Sequence, residues 1–138
     1  MREVTEVAVG VLIDKEGRFL MASRPQGKPY AGWWEFPGGK LEAGEAVTEA
    51  LSREYAEELG VKVKKATPWF VFEREYPHAY VRLHFCRIVD WEGQPQPREG
   101  QTFQWFETLK QAQTEKLLPM CSLVIERLML SDRVALVK

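Results

Sequence analysis

Three closely spaced glutamates, Glu54, Glu57 and Glu58, have the chemistry of ligands for a divalent cation. They lie near the end of a predicted helix that stops at Gly60. Like charges three or four residues apart on an exposed helix each cost about 0.2–0.5 kcal/mol. The negative end of the helix dipole adds a further penalty for carboxylates at this position. A bound divalent cation is the simplest partner that would remove these costs.

The helical spacing of this segment predicts an inward stripe that changes character along its length. The stripe begins with Val47, Ala50 and Leu51, and the same spacing continues into the three glutamates. We therefore expect a helix face that is apolar at its start and acidic at its end. The alternative is an ordinary solvated acidic face, on which Arg53, one turn from Glu57, relieves part of the repulsion.

The elements that must position these glutamates belong to a mixed α/β chain. The acidic helix is predicted from Glu45 or Ala46 to Gly60, and a second helix from Leu117 to Leu130. Proline and glycine mark loops at residues 24–32 and 93–100. Strands are predicted at the following ranges, the second pairing back on the first as a hairpin: Val4–Ile13, Arg18–Ser23, Val61–Lys64, Trp69–Tyr76, Ala79–Val89 and Thr102–Glu107.

The composition is that of an ordinary globular chain and excludes several classes of protein. The 138 residues carry 19 basic and 20 acidic side chains, so the basic footprint of a protein that coats nucleic acid or a membrane is lacking. Cys86 and Cys121 are too few for a disulfide framework. No apolar run approaches the ~20 residues needed to cross a bilayer. We expect one domain over residues 1–138, a cytoplasmic location, and a monomer that binds neither polymeric nucleic acid nor membranes.

The acidic cluster is part of a longer and more specific pattern. The pattern is glycine, five residues, glutamate, seven residues, Arg-Glu, an apolar residue, one spacer, Glu-Glu, one spacer, glycine and an apolar residue. Its places are filled by Gly39, Glu45, Arg53, Glu54, Tyr55, Glu57, Glu58, Gly60 and Val61. This resembles the signature of the Nudix hydrolases. Tyr55 is the one departure, because an aliphatic residue is commoner there, and we expect it to affect packing rather than chemistry.

The resemblance implies a fold and a metal site. The implied fold is an α/β/α sandwich with a mixed central sheet, in which the signature forms a loop–helix–loop unit. Carboxylate oxygens suit hard cations, and Mg²⁺ is the implied cofactor, with Mn²⁺ able to replace it. Arg53 and Glu45 match positions that hold the helix and its carboxylates in place. The metal ligands implied within the signature are the backbone carbonyl of Gly38 and the side chains of Glu54, Glu57 and Glu58.

Further stretches resemble the MutT subgroup, which hydrolyses nucleoside triphosphates. They are GWWEFPGGK, WEGQP, REGQ and the pair Leu118-Pro119. The REGQ-like loop implies that Glu99 completes the metal site and is a candidate general base, although by itself Glu99 is only a loop acid. Arg24 could equally be a solvated charge, and Phe36 could equally be core. The substrate-binding positions implied by the subgroup are Arg24, Glu35, Phe36, Pro37, Gly38 and Cys121.

Cys121 departs from the subgroup at the position expected to read the base. The best-known members, which remove 8-oxo-dGTP, place an asparagine there. An amide offers a donor and an acceptor, whereas a thiol forms weak hydrogen bonds. Either Ser122 or the backbone reads the base, or the preferred nucleotide differs. The alternative for Cys121 itself is a small buried apolar residue.

The resemblance implies a Mg²⁺-dependent pyrophosphohydrolase that converts nucleoside triphosphates to nucleoside monophosphate and pyrophosphate. Oxidised nucleotides such as 8-oxo-dGTP are the expected substrates, which implies a role in sanitation of the nucleotide pool. The family mechanism implies attack on the β-phosphorus, which the residues themselves do not determine. One alternative is another nucleoside diphosphate linked to a second group, or a pyrimidine triphosphate such as CTP. A different class is a nucleotide-binding module without catalysis, but such modules usually lack some of the acidic positions present here.

Overall fold

The computed structural model describes residues 3–112, 115–118 and 120–137, with the side chains of residues 109 and 131–137 left aside. Two sheets lie at its centre. One has the strand order β4-β1-β6-β5, with β1 parallel to β6 and the other neighbours antiparallel, and the other has the order β3-β2-β7. The strands are β1 (Val4–Leu12), β2 (Phe19–Ser23), β3 (Trp34–Glu35), β4 (Gly38–Lys40), β5 (Lys62–Tyr76), β6 (Ala79–Glu92) and β7 (Thr102–Phe106); the helices are α1 (Val47–Leu59), α2 (Leu109–Ala112) and α3 (Cys121–Val137).

Two hydrophobic cores lie on opposite faces of the strands. Successive side chains of a strand point to opposite faces. Ala8 and Leu12 of β1 accordingly pack with α1, whereas Val11 packs with Ile125 and Leu128 of α3. The sheets are therefore covered by a helix on each face, which confirms the predicted α/β/α sandwich with a mixed sheet. None of the described helices has the length and apolar character needed to cross a membrane.

Helix α1 differs from its predicted stripe. Its buried residues are Ala50, Leu51, Tyr55 and Leu59. The apolar stripe therefore follows steps of four from Leu51, and the expectation that it turns acidic is wrong. The glutamates lie beside the stripe, at the border between core and solvent. The helix ends at Gly60, whose left-handed φ of 72° confirms the predicted glycine C-cap.

Four further predictions of secondary structure need correction. Strand β2 does not form a hairpin with β1, because it pairs with β3 and β7 and only Phe19 bridges back to Ile13. The strands predicted at 61–64 and 69–76 merge into one strand, β5, which begins at Lys62. It tolerates Pro68 because it lies at the edge of its sheet and is irregular there. Leu117 precedes α3 and pairs with Trp34 instead. The short strand β4 and the short helix α2 were not predicted.

Candidate active site

The double glycine forms strand β4 rather than an irregular loop, and it brings the backbone against helix α1. Strand β4 pairs with β1, where Ala8 lies opposite Gly39. A Cβ atom at Gly38 would collide with the Ala8 carbonyl, and one at Gly39 would collide with the carboxylate of Glu54. Only glycine therefore fits at position 38, where the clash is with backbone, whereas a side chain at position 39 would push the Glu54 carboxylate aside. The Glu54 carboxylate consequently lies directly against the backbone of β4.

Arg53 binds the first group of carboxylates. Its Nε and Nη2 atoms lie 2.9 and 3.0 Å from the two oxygens of Glu45, and its Nη1 donates to Glu54 at 2.8 Å. Nη2 also donates to the Lys40 carbonyl at 3.1 Å. The bidentate contact with Arg53 lowers the pKa of Glu45 to about 2. One guanidinium thus connects the start of α1, its middle and the end of β4.

Glu58 and Glu99 form a second group without such a cation. Burial, together with the negative charges of Glu54 and Glu99, raises the pKa of the Glu58 carboxyl to about 8. Glu54 is therefore a close neighbour of Glu58. Within the part of the chain that the structure describes, neither Glu58 nor Glu99 forms an ion pair with lysine or arginine. Mutual repulsion between these acids is therefore relieved by a proton.

The donor set fits a hard divalent cation in its chemistry. Glu54, Glu58 and Glu99 are three neighbouring carboxylates, and Gly39 leaves room for the first of them against the backbone of β4. Among the described residues, no three acidic, histidine or cysteine side chains already stand close enough to hold a metal ion. Glu57 stands apart from the other three, because its side chain is 56% exposed and lies 3.7 Å from Arg53.

Two cavities meet beside this group. The polar cavity, about 430 Å³, is lined mainly by Arg24, Lys28, Glu35, Glu58, Glu99 and Gln101. The apolar cavity, about 320 Å³, is lined mainly by Val9, Phe36, Leu83, Phe85, Leu118 and Cys121, with Gly38 and Gly39 at its edge. Glu35 lines both. The arrangement suits a ligand with a charged part and a flat apolar part.

Arg24 and Glu35 form an ion pair at the boundary between the cavities. The Nη1 atom of Arg24 lies 3.2 Å from a carboxylate oxygen of Glu35, and its Nε donates to the Pro29 carbonyl at 2.7 Å. Burial raises the pKa of Glu35, although the charge of Arg24 opposes this. Arg24 is therefore held in place by these two contacts, and its side chain is 29% exposed.

Cys121 and Phe36 are buried walls of the apolar cavity. Phe36 is 5% exposed and Cys121 is 6% exposed, so both also belong to the core. Burial raises the pKa of the Cys121 thiol to about 12, and its Sγ lies 3.7 Å from the Trp34 carbonyl. The thiol thus stays protonated and directs its hydrogen to the backbone. Pro119, which precedes this position in the sequence pattern, lies outside the described residues.

Comparison with known proteins identifies the family. The sequence pattern of the NUDIX domain matches residues 4–121. The chain belongs to the Nudix family. It is 36% identical over 106 residues to an 8-oxo-dGTP diphosphatase of Haemophilus influenzae, which covers 77% of this chain and 78% of that protein. It is also 36% identical over 97 residues to a CTP pyrophosphohydrolase of Escherichia coli K12, covering 70% and 72%.

Solved structures agree with this assignment. A structure from a study of MutT from Aliivibrio salmonicida and Vibrio cholerae matches with a TM-score of 0.80 at 26% identity, covering 94% of this chain and 99% of that one. The solution structure of the E. coli ORF135 protein also matches with a TM-score of 0.80, at 30% identity, covering 97% and 94%. The predicted Nudix fold and the predicted class, a pyrophosphohydrolase acting on nucleotides, are confirmed. Nudix hydrolases generally require a divalent metal ion.

Tyr55 has a role in this Nudix site that the sequence did not predict. The side chain is fully buried, as expected for packing, but its hydroxyl donates to the Gly10 carbonyl at 2.6 Å and lies 3.2 Å from the Pro37 carbonyl. The Gly10 N–H donates to the same Pro37 carbonyl at 3.0 Å. Pro37 therefore contributes a backbone oxygen to the core, next to Gly38. The signal in the sequence was the hydroxyl of Tyr55, at a signature position where an aliphatic residue is commoner.

Proposed function

We propose that this Nudix enzyme uses Mg²⁺ to hydrolyse nucleoside triphosphates, including oxidised ones such as 8-oxo-dGTP, and thereby sanitises the nucleotide pool. The observation that supports it best is the junction of the two cavities at Glu35. The acidic end suits a cation that carries the triphosphate, and the apolar end suits a base. The names of the relatives from H. influenzae and E. coli support nucleotides as the substrate class.

The proposed metal ligands are the carboxylates of Glu54, Glu57, Glu58 and Glu99 and the carbonyl of Gly38. A bound Mg²⁺ would neutralise the phosphate oxygens and polarise the phosphorus. The chain itself holds these donors in place, because strand β4 supports Glu54 and the loop at residues 93–100 brings Glu99 beside Glu58.

Arg53 and Glu45 are proposed to position the ligands rather than to contact substrate. The guanidinium fixes the orientation of Glu54 through a 2.8 Å hydrogen bond, while its contact with Glu45 fixes the guanidinium. At the other side of the polar cavity, Arg24 and Lys28 place positive charge where phosphates would lie. Lys28 was not predicted from the sequence.

Glu99 is proposed as the general base. A water oxygen attacks the β-phosphorus, and its proton passes to a Glu99 carboxylate oxygen. The bond from the β-phosphorus to the oxygen that bridges it to the α-phosphorus breaks, and that oxygen leaves with the nucleoside monophosphate. The products are nucleoside monophosphate and pyrophosphate. Hydrolysis in ¹⁸O-labelled water tests the position of attack, because label in pyrophosphate supports it and label in the monophosphate contradicts it.

A pyrimidine triphosphate such as CTP is the second candidate substrate, and the state of Cys121 favours it. The thiol directs its hydrogen to the Trp34 carbonyl, so it offers little to the edge of a purine. The E. coli relative named a CTP pyrophosphohydrolase supports the same candidate. The apolar walls of the cavity would accept either kind of base.

A nucleotide panel at fixed Mg²⁺ decides between these candidates. The panel compares kcat/KM for dGTP, 8-oxo-dGTP, CTP and a nucleotide sugar, with release of nucleoside monophosphate, the product common to all four, measured directly. Preference for 8-oxo-dGTP supports the proposal, and preference for CTP supports the second candidate. Nucleotide binding without turnover of any compound would contradict both and indicate a non-catalytic module.

The variant Cys121→Asn tests the base position itself, with Cys121→Ala as its matched control. An amide restores a donor and an acceptor at the wall of the apolar cavity. We expect the ratio of purine to pyrimidine turnover to rise about 10-fold in Cys121→Asn, which is the effect of one good hydrogen bond. An equal change in both variants would come from loss of the thiol and would show that the amide does not read the base.

A further inference from the structure

We propose that Gln101 is a positioning residue for the metal site, and that its side-chain amide sets Glu99 against the end of helix α1. This inference rests on the proposed function, because it assumes that Glu58 and Glu99 bind the metal. The amide makes two contacts in opposite directions, one to the backbone of each of these glutamates.

Both contacts of the amide are short enough to be hydrogen bonds. The Glu99 N–H donates to Gln101 Oε1 at 2.8 Å, and Gln101 Nε2 donates to the Glu58 carbonyl at 3.3 Å. Gly100 between them has a φ of +79°, which lets the chain turn so that the Gln101 side chain folds back two residues. The amide uses its donor and its acceptor together, so it connects the two backbones directly.

The end of helix α1 explains why such a connection forms. The last carbonyls of a helix have no partner within it and need donors from elsewhere. The Glu58 carbonyl receives the Arg98 N–H at 3.2 Å as well as Gln101, and the Leu59 carbonyl receives the Gln96 N–H at 2.9 Å. The loop at residues 93–100 therefore caps the helix that carries Glu58.

Gln101 differs from the other donors of this cap. Gln96 and Arg98 reach the helix through backbone N–H groups, which any residue but proline would supply. Gln101 reaches it through its side chain and also binds the backbone of Glu99. Among the described donors to these carbonyls, it is the one that a substitution can remove without altering the backbone. Its loss would free Glu99 to move relative to Glu58 while the loop stays attached to the helix.

The test measures binding of Mn²⁺ alone, by isothermal titration and by electron paramagnetic resonance, in the absence of nucleotide. The variant is Gln101→Met, which keeps the length of the side chain and removes both hydrogen bonds. We expect Mn²⁺ to bind about 10-fold more weakly, as is typical when a residue that orients a metal ligand is lost. Gln101→Ala is the second variant and should give the same loss. Gln96→Ala is the matched control and should bind Mn²⁺ like the unmodified protein, since Gln96 is exposed and donates only through its backbone.

A double-variant cycle with Glu99→Ala shows whether Gln101 acts through Glu99. If it does, Gln101→Met adds no further loss of Mn²⁺ affinity once Glu99 is removed. Full additivity, or unchanged Mn²⁺ binding in Gln101→Met, would overturn the inference and leave the proposed function intact. Unchanged Mn²⁺ binding in Glu99→Ala alone would instead overturn the proposed metal site, and the inference with it. A loss of thermal stability in Gln101→Met that matches its loss of affinity would show a structural role only, and would also overturn it.

Discussion

Two groups of carboxylates on and beside helix α1 differ in how their charge is compensated. In the first, Glu45 and Glu54 bind the guanidinium of Arg53 at 2.8–3.0 Å. In the second, Glu58 lies beside Glu99, and burial together with repulsion from Glu54 and Glu99 raises the pKa of Glu58 to about 8. The first group has a permanent cation from the chain, and the second is relieved by a proton in the absence of metal.

This difference separates carboxylates that hold the site in position from carboxylates that are available to bind a cation. Carboxylates that are already paired contribute to the folded state and have little capacity left for another cation. Carboxylates without a partner are unfavourable for folding but available to a ligand. Glu54 takes part in both groups, because it binds Arg53 and its negative charge also acts on Glu58. It is thus the residue through which the positioning group can orient the binding group.

The largest effect is expected from Glu58→Gln. The substitution removes a proposed ligand, so we expect kcat/KM to fall by more than about 100-fold, beyond the loss typical of residues that only orient a ligand. The metal-free variant should nevertheless resist urea better than the unmodified protein near pH 8, because the repulsion with Glu54 and Glu99 is gone. Glu49→Gln on the same helix is the control, and it should change activity little. If Glu58→Gln keeps full activity and unchanged stability, the distinction between the two groups is wrong.

Arg53→Met should also lower activity, but it should change stability in the opposite direction. Loss of the guanidinium leaves Glu45 and Glu54 without their cation, so the midpoint of urea unfolding should fall at neutral pH. Activity should decrease about 10–100-fold, because Glu54 is no longer oriented. Arg53→Lys separates charge from geometry, since lysine cannot form the bidentate contact. If Lys restores activity completely, the charge of Arg53 matters and its geometry does not.

Glu57→Gln shows to which group Glu57 belongs. Its half-exposed carboxylate lies 3.7 Å from Arg53, and an ion pair of this kind contributes less than about 1 kcal/mol. As a metal ligand it should instead reduce activity about 10-fold or more when changed, with little effect on unfolding. Equilibrium unfolding and steady-state kinetics on the same preparation measure both. Full activity in this variant would remove Glu57 from the proposed ligands.

The smallest expected effect is a dependence of stability on pH in the metal-free protein. The folded pKa of Glu58, about 8, lies above its usual value of 4.5, so the folded state binds more protons between these limits. The contribution of Glu58 to the free energy of unfolding is fully present below about pH 4.5 and is lost as the pH rises through about 8. Glu45 acts in the opposite sense at lower pH, because its pKa is about 2. Urea midpoints in chelator across this range should fall with pH, and Glu58→Gln should flatten the fall.

Local sequence patterns predicted the residues of the candidate site more successfully than they predicted the contacts around those residues. The spacing of the signature located Glu54, Glu58 and the glycine C-cap, because these depend on one helix and its ends. The same spacing did not predict the buried stripe correctly. Steps of three and four residues from Leu51 reach both Glu54 and Tyr55, and Tyr55 is the buried one because it has the larger apolar surface. The hairpin of β1 and β2 failed for a similar reason. The strand partners of β2 come from distant parts of the chain, where no short pattern specifies them.

The contacts that the sequence missed connect residues far apart in the chain. Gln101 lies 43 residues from its partner Glu58, and Tyr55 lies 45 residues from Gly10. Neither hydrogen bond follows from the residue types alone, because glutamine and tyrosine are compatible with many partners. The cavity at Lys28 likewise appears only when the loops, helix α1 and the β3-β2-β7 sheet are assembled.

The hydroxyl of Tyr55 has a consequence for how nucleotide and metal affect each other. It attaches the helix that carries the carboxylates to Pro37, whose neighbours Phe36 and Gly38 border the apolar cavity. Any displacement of the helix is thus transmitted to the wall against which a base would rest. Because such coupling is reciprocal, a tightly fitting base should increase the affinity for the cation as much as the cation increases the affinity for that base.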